Sequence, residues 1–194
     1  MEPTALLSLF LPLFVSMDPL GALPAFIQMT GQLPAGRRKQ LINRSILTAG
    51  AVGLLFLFVG PSILSALGLT SGDFQIAGGL LVLVIALRDV VWDQKILMVK
   101  VSKGEGIVPI GIPLLVGPAV LATLVLLQSR FSSLEITGSF SVNLFLSWIV
   151  FHQASKLIAL MGVTGTRVIS KLAALFFSAY GVMMIRAGLM SLMN

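Results

Sequence analysis

Long apolar runs, separated by short clusters of charged and turn-forming residues, set the pattern of this chain. Six runs are long enough to be membrane helices: about Ala5–Met29, Ile46–Leu67, Phe74–Trp92, Ile107–Leu127, Phe140–Leu160 and Val168–Leu192. A bilayer crossing needs about 20 consecutive apolar residues. Six such spans and their connections use the whole of residues 1–194, so the reading is one all-α membrane domain with no soluble portion.

Two spans are interrupted. The first carries Met17-Asp18-Pro19-Leu20-Gly21-Ala22-Leu23-Pro24, and the fourth carries Pro113-Leu114-Leu115-Val116-Gly117-Pro118. Proline removes a backbone N–H and clashes with the carbonyl four residues earlier. On this rule Pro19 releases the carbonyl of Val15 and Pro24 that of Leu20, while Pro113 and Pro118 release those of Pro109 and Leu114. Gly21 and Gly117 are expected to supply conformations that other residues resist. Helices 1 and 4 are therefore predicted to be broken.

The breaks fall at equivalent places in a weak internal repeat. Leu67-Gly68-Leu69-Thr70-Ser71-Gly72 has a counterpart in Met161-Gly162-Val163-Thr164-Gly165-Thr166. Ile85-Ala86-Leu87-Arg88 has one in Met183-Met184-Ile185-Arg186, and Asp18-Pro19 one in Gly117-Pro118. The three matches occur in the same order, with offsets of 94, 98 and 99 residues. Each half, about 1–100 and 101–194, holds three helices. An odd number inverts the second half in the membrane, and inverted repeats with broken helices are a signature of secondary transporters.

Composition agrees with a lipid environment: 57% of residues are hydrophobic and 10% charged, against roughly 25% charged in a soluble domain. The net charge of +6 does not point to nucleic acid, because the basic residues are sorted by loop. Arg37, Arg38, Lys39 and Arg44 lie around the first loop, Arg88, Lys95, Lys100 and Lys103 around the third, and Lys156, Arg167 and Lys171 around the fifth. These make up eleven of the 13 Lys and Arg. The positive-inside rule then puts the three loops in the cytoplasm and both termini outside. Met1-Glu2-Pro3 lacks the basic region of a signal peptide, so the first apolar run reads as a retained helix. With no cysteine there is no disulfide, thiol nucleophile or Cys-based metal site.

Candidate chemistry gathers at the breaks. Asp18 is an acid within an apolar run, which is costly unless it faces a cavity or a partner. A half-helix start near Gly117–Thr123 or Gly21–Pro24 offers N–H groups to an anion, and Asp18 with released carbonyls offers a place for an ammonium group. Ser16 and Thr123 add hydroxyls. The substrate-binding candidates are Asp18, Pro19, Gly21, Pro24, Pro113, Gly117, Pro118 and Thr123, and a small zwitterion fits them. Burial also suits Asp18 to carry a proton. The competing readings are simple proline kinks and a structural hydrogen bond from Asp18. His152, the single histidine, reads as an interhelical hydrogen-bonding residue rather than a metal ligand. Gly78, Gly79 and Gly181 read as close-packing positions.

On Asp18-Pro19-Leu20-Gly21 with Leu23-Pro24, Gln75-Ile76-Ala77-Gly78-Gly79, and Pro113-Leu114-Leu115-Val116-Gly117-Pro118 with Thr123, the chain resembles the MarC family of small integral membrane proteins nearly end to end. The resemblance implies a multi-pass protein of the prokaryotic plasma (inner) membrane, related to exporters of neutral amino acids and other small solutes. Many relatives have Asn in place of Ala22, vary between Asp and Asn at Asp18, and read Ala-Gly-Pro where this chain has Val116-Gly117-Pro118.

The expected function is alternating-access transport of a small neutral solute such as an amino acid, coupled to H+ or Na+, with no cofactor. A channel or pore, or a non-transporting membrane partner or sensor subunit, are the alternatives. The chain contains no H-E-x-x-H, G-x-S-x-G, P-loop or other ATP-binding pattern. An enzyme is therefore not expected, and active transport would draw on a gradient. The expected surroundings are the lipid bilayer and a small-molecule solute; short loops leave intramembrane association into an oligomer as the open route to protein partners.

Overall fold

The computed structural model describes residues 3–91, 115–128 and 130–193. Among these the chain forms seven helices: α1 (Pro3–Met17), α2 (Leu23–Thr30), α3 (Ala35–Ala66), α4 (Ser71–Val91), α5 (Pro118–Gln128), α6 (Ser133–His152) and α7 (Ala154–Met193). At about 1.5 Å per residue, α3 spans about 48 Å. It overruns a hydrocarbon core of about 30 Å by enough to hold Arg37, Arg38, Lys39 and Arg44 in water. Those residues are thus helical rather than in a loop as the apolar run predicts, because hydropathy marks where lipid ends and not where the helix does. Alongside α3, α6 and the Lys171–Met193 part of α7 are long and apolar enough to cross a membrane. Leu7–Met17, Ser71–Leu87 and Pro118–Gln128 are shorter apolar segments.

Short polar devices end the helices. Between α3 and α4, the N–H of Leu69 donates to the Leu64 carbonyl at 2.9 Å and that of Gly68 to the Ser65 carbonyl at 3.0 Å. Gly68 sits at φ +71°, the left-handed cap conformation that glycine takes without a Cβ penalty. Thr70 and Asp73 then start α4 reciprocally: the Thr70 N–H donates to Asp73 Oδ2 at 2.9 Å, and the Asp73 N–H to Thr70 Oγ1 at 3.1 Å. Ser132 and Glu135 make the same capping box at the start of α6. The boundary expected between the fifth and sixth spans falls at Gly162, as a kink between two helical stretches and not as a longer loop. Helix α6 ends at His152, and α7 runs on from Ala154 with one break at Gly162, φ +66°.

Two apolar clusters hold the bundle together. One joins α1, α2, α3, α5 and α6 through Leu13, Phe26, Leu57, Leu124 and Phe140, among others. The other joins α4, α5 and α7 through Val82, Ala119, Ala122, Leu126 and Met184. Helix α5 belongs to both, and Ala122 through Leu127 are all buried. A helix apolar on every side belongs in the interior. Elsewhere Leu47, Leu55, Phe58, Phe145 and Phe176 are exposed, which suits a surface bathed by lipid tails.

Helices α4 and α7 meet backbone to backbone. A Cβ on Gly79 would lie 2.7 Å from the Gly181 carbonyl, and one on Gly181 2.8 Å from the Gly79 carbonyl. A Cβ on Gly188 would lie 2.6 Å from the Gly72 carbonyl. Advancing along α4 from Gly72 to Gly79 retreats along α7 from Gly188 to Gly181, so the two helices are antiparallel. One turn-pair further, Ala86 and Ala174 continue the register as buried small residues. Without a hydrophobic drive between helices in lipid, such close approach supplies the association through van der Waals packing.

A proline inside α3 also finds its remedy. Pro61 lacks the N–H that would serve the Leu57 carbonyl, and Gln128 Nε2 of α5 donates to that carbonyl at 2.5 Å. Gln128→Met should therefore destabilise the fold by about 1–3 kcal/mol, the cost of an unsatisfied buried acceptor. Pro61→Ala, which restores an N–H, should recover most of the loss in a thermal melt of the detergent-solubilised double variant. Equal losses with and without Pro61→Ala would show that the bond does not matter.

Candidate functional site

The first break lies between Met17 and Leu23. Separately α1 and α2 cover about 22 and 12 Å, each too short for a bilayer of about 30 Å, and together they match it. Asp18 makes the break. Its N–H closes α1 by donating to the Phe14 carbonyl at 3.0 Å, and its own carbonyl accepts the Ala22 N–H at 3.0 Å. Its φ of +37° is the one left-handed value among the described non-glycine residues. Asp and Asn are among the few side chains that tolerate this region. The carboxylate turns back, with Oδ1 accepting the Gly21 N–H at 3.0 Å. A structural hydrogen bond of Asp18 is thus present, to a backbone N–H within the break itself.

This geometry corrects two expectations. Gly21 does not take a left-handed φ; a Cβ there would collide with the Asp18 carboxylate, so the glycine supplies room for the acid instead of flexibility. Pro24 does not release the Leu20 carbonyl, which accepts the Leu23 N–H at 3.2 Å. Pro24 occupies the first turn of α2, where a helix has no use for the missing donor. Pro19 is buried within the break.

The second break is described from Leu115 onward. Pro113, with Pro109 and Leu114, lies outside the described residues, as do Lys95, Lys100 and Lys103. Leu115 and Val116 are buried, and Gly117 precedes the helix, its carbonyl accepting the N–H groups of Val120 at 3.0 Å and Leu121 at 3.2 Å. Pro118 is the first residue of α5. It therefore starts a helix, the position where its fixed φ helps.

The fold brings the two breaks together. Ser16, in the last turn of α1, and Thr123, in the middle of α5, place their hydroxyl oxygens 2.7 Å apart across 107 residues of sequence. Ser16 Oγ also lies 2.6 Å from the Pro12 carbonyl and Thr123 Oγ1 2.8 Å from the Ala119 carbonyl, as donors. Thr123 is 0% exposed. Tyr180 of α7 packs against the cluster that holds Ala119 and Ala122, the α5 residues flanking Thr123, and its hydroxyl is buried without a hydrogen bond. Sequence reasoning passed over Tyr180. The available signal was that a phenol in an apolar helix needs a partner when buried.

Other polar residues fall elsewhere. His152 does not bridge helices: its Nδ1 meets the Trp148 carbonyl of its own helix at 3.0 Å. The bridge is made by the Trp148 indole, whose Nε1 donates to Asn43 Oδ1 of α3 at 2.8 Å. The other ring nitrogen of His152, Nε2, is buried without a hydrogen-bond partner. Nearby, Arg38 donates to Ser155 Oγ at 2.7 Å, which sets the start of α3 beside the α6–α7 junction. Gly78 and Gly79 do pack closely as expected, Gly78 against Ala122 of α5 and Gly79 against α7. Among the described residues no three His, Asp or Glu side chains gather as metal ligands.

Comparison with known proteins gives a consistent picture. The sequence model described as "MarC family integral membrane protein" matches residues 4–193. The "UPF0056 membrane protein BU449" of Buchnera aphidicola is 33% identical over 176 residues, covering 89% of each chain. The "UPF0056 inner membrane protein YhgN" of Escherichia coli is 32% identical over 183 residues, 91% of this chain and 92% of that one. The "UPF0056 membrane protein YhcE" of the same species is 29% identical over 192 residues, 93% and 89% of the two chains. No solved structure matches.

Proposed function

The chain belongs to the MarC family of integral membrane proteins, and from that premise we propose that it is a secondary transporter of a small neutral solute, an amino acid in the first instance. In this reading it is a multi-pass protein of the bacterial inner membrane, the location in the name of the E. coli relative YhgN. Its six spans form two inverted three-helix repeats that rock about the breaks, and both termini lie outside. It is a carrier and not an enzyme.

One observation carries the reading: the hydroxyl of Ser16, in the last turn before the first break, meets that of Thr123, in the helix that follows the second, at 2.7 Å in the protein interior. A contact between the two breaks is where alternating access needs its site, because helix interruptions release polar backbone at membrane depth. The antiparallel α4–α7 pairing is compatible with an inverted repeat, since these are the third helices of the two proposed halves. The Arg38–Ser155 contact puts the basic start of α3 and the residues before Lys156 at one end of the bundle, as the orientation rule requires. Asp18 lies partly exposed at the first break, with its carboxylate oxygen Oδ1 accepting the Gly21 N–H. It is the ammonium or proton site in this scheme, with H+ or Na+ as the coupling ion.

Counterflow tests the proposal. Purified protein in liposomes preloaded with unlabelled neutral amino acids is expected to accumulate labelled alanine transiently above its equilibrium level. A folded, inserted sample that only equilibrates the label, at a rate linear in concentration, would favour a pore; no uptake at all would remove neutral amino acids as substrates.

A further inference from the structure

The hydroxyl group at the junction of the breaks is one proton short of satisfying itself. Ser16 has one O–H and two oxygen neighbours, the Pro12 carbonyl at 2.6 Å and Thr123 Oγ1 at 2.7 Å. Thr123 has one O–H and, besides Ser16, the Ala119 carbonyl at 2.8 Å. A hydroxyl donates once. Two protons therefore serve three contacts, and the Ser16–Thr123 bond forms only when one hydroxyl lets go of its carbonyl. The third proton in the neighbourhood is that of Tyr180, which packs against the cluster of Ala119 and Ala122 beside Thr123 and whose hydroxyl is unbonded and shielded from solvent.

An unmade hydrogen bond in an apolar interior is unfavourable. Nothing in the packing requires it, since Tyr180 lies against the apolar cluster formed by Val82, Ala119, Ala122, Leu126 and Met184, where a phenylalanine ring would pack as well. We propose that Tyr180, together with Ser16 and Thr123, forms the acceptor-recognition half of the solute site, its phenol O–H donating to a carboxylate oxygen of a small zwitterionic solute. The inference rests on the transport reading above and deepens it by naming the donor and the group it recognises.

The chemistry is complementary. When α1 and α5 part, the Ser16–Thr123 contact opens and both hydroxyls turn toward the gap. An incoming carboxylate, able to accept about four hydrogen bonds, takes donations from Ser16, Thr123 and Tyr180. The Pro12 and Ala119 carbonyls that lose those donors are acceptors for ammonium N–H groups. A solute with a carboxylate and an ammonium on the same carbon meets both needs; one with an ammonium alone meets only the second.

The test is Tyr180→Phe, which removes one oxygen and leaves the ring. In proteoliposomes, the alanine concentration for half-maximal counterflow should rise about tenfold or more, since bonds to charged groups contribute about 1.5–3 kcal/mol and 1.4 kcal/mol is tenfold. Alaninol, which lacks the carboxylate, should compete poorly against alanine in the wild type, and that preference should narrow in Tyr180→Phe. The melting midpoint should stay level or rise, because the buried orphan is gone. A half-saturation and an alanine preference both unchanged would overturn the inference while leaving transport standing. A fall in the midpoint would also overturn it, by showing that the phenol serves the fold. Wild-type protein without counterflow would overturn the transport reading itself, and this inference with it.

Discussion

Gly79→Leu should separate α4 from α7 and leave the protein largely unfolded or aggregated when extracted from the membrane, while Gly138→Ala should be tolerated or slightly stabilising. At Gly79 even a methyl group would lie 2.7 Å from the Gly181 carbonyl and 3.0 Å from the Ile185 nitrogen. Those are backbone atoms of a helix, which cannot swing aside as the end of a side chain can. The whole of α7 must move, and the Gly72–Gly188 contact further along the same seam would be lost with it. Overpacking in a well-fitted core costs about 1–3 kcal/mol per site, and in lipid no hydrophobic term compensates for separated helices. Gly79→Ala, the smallest step, should lie within that range. Gly138, in contrast, has open space around its Cβ position, and replacing a helical glycine by alanine gains up to about 1 kcal/mol.

A double-variant cycle makes the prediction specific. If Gly79 and Gly181 act as one crossing point, Gly79→Ala with Gly181→Ala should cost clearly less than the two single losses added together. Once the helices have moved apart for one methyl, the second finds room. Additive losses in midpoint would mean that the two glycines act separately and that the seam does not move as a unit.

The apolar runs foretold the three described helices long and apolar enough to cross a membrane, because the bilayer demands uninterrupted length; they did not foretell helix ends, which depend on caps. Ala35–Arg44 is helical though charged, and the α3–α4 turn is set by Gly68 and the Thr70–Asp73 pair, a local code readable once the reader looks for capping rather than hydropathy. At the first break the composition pointed to the right place for partly wrong reasons. Proline and glycine suggested freed carbonyls and a flexible backbone, whereas Asp18 itself takes the left-handed conformation and Gly21 makes space for its carboxylate. Pro24 and Pro118 both sit at helix starts, where proline is an asset. The candidate hydroxyls of Ser16 and Thr123 were legible one at a time as polar residues in apolar runs. Their contact was not, since it depends on how α1 crosses α5. Neither was the pairing of Gln128 with the carbonyl exposed by Pro61, which joins residues 71 apart. Residues whose role depends on a partner from another helix are the ones that a single chain read in order does not reveal.

Asp18 joins a structural role to the proposed transport role, and three substitutions separate them. In Asp18→Asn the amide oxygen can still accept the Gly21 N–H, and Asn tolerates a left-handed backbone as well as Asp does. Its melting midpoint should therefore stay close to wild type. Counterflow of alanine should nevertheless fall by tenfold or more, because the negative charge facing the ammonium group is gone. In Asp18→Gly the backbone is content at φ +37° but the Gly21 N–H loses its acceptor, and stability should drop by about 1 kcal/mol, the usual worth of a side-chain cap. In Asp18→Ala the lost cap is joined by a left-handed alanine, which costs about 1–2 kcal/mol more, so the order of midpoints should run Asn, Gly, Ala. That order with transport abolished in all three would assign the charge to solute or proton and the oxygen to the fold. Full counterflow in Asp18→Asn would instead leave Asp18 as a cap alone, and move the ammonium site to the Pro12 and Ala119 carbonyls beside the hydroxyl pair. A lower midpoint in Asp18→Asn than in Asp18→Ala would contradict the geometry at the break.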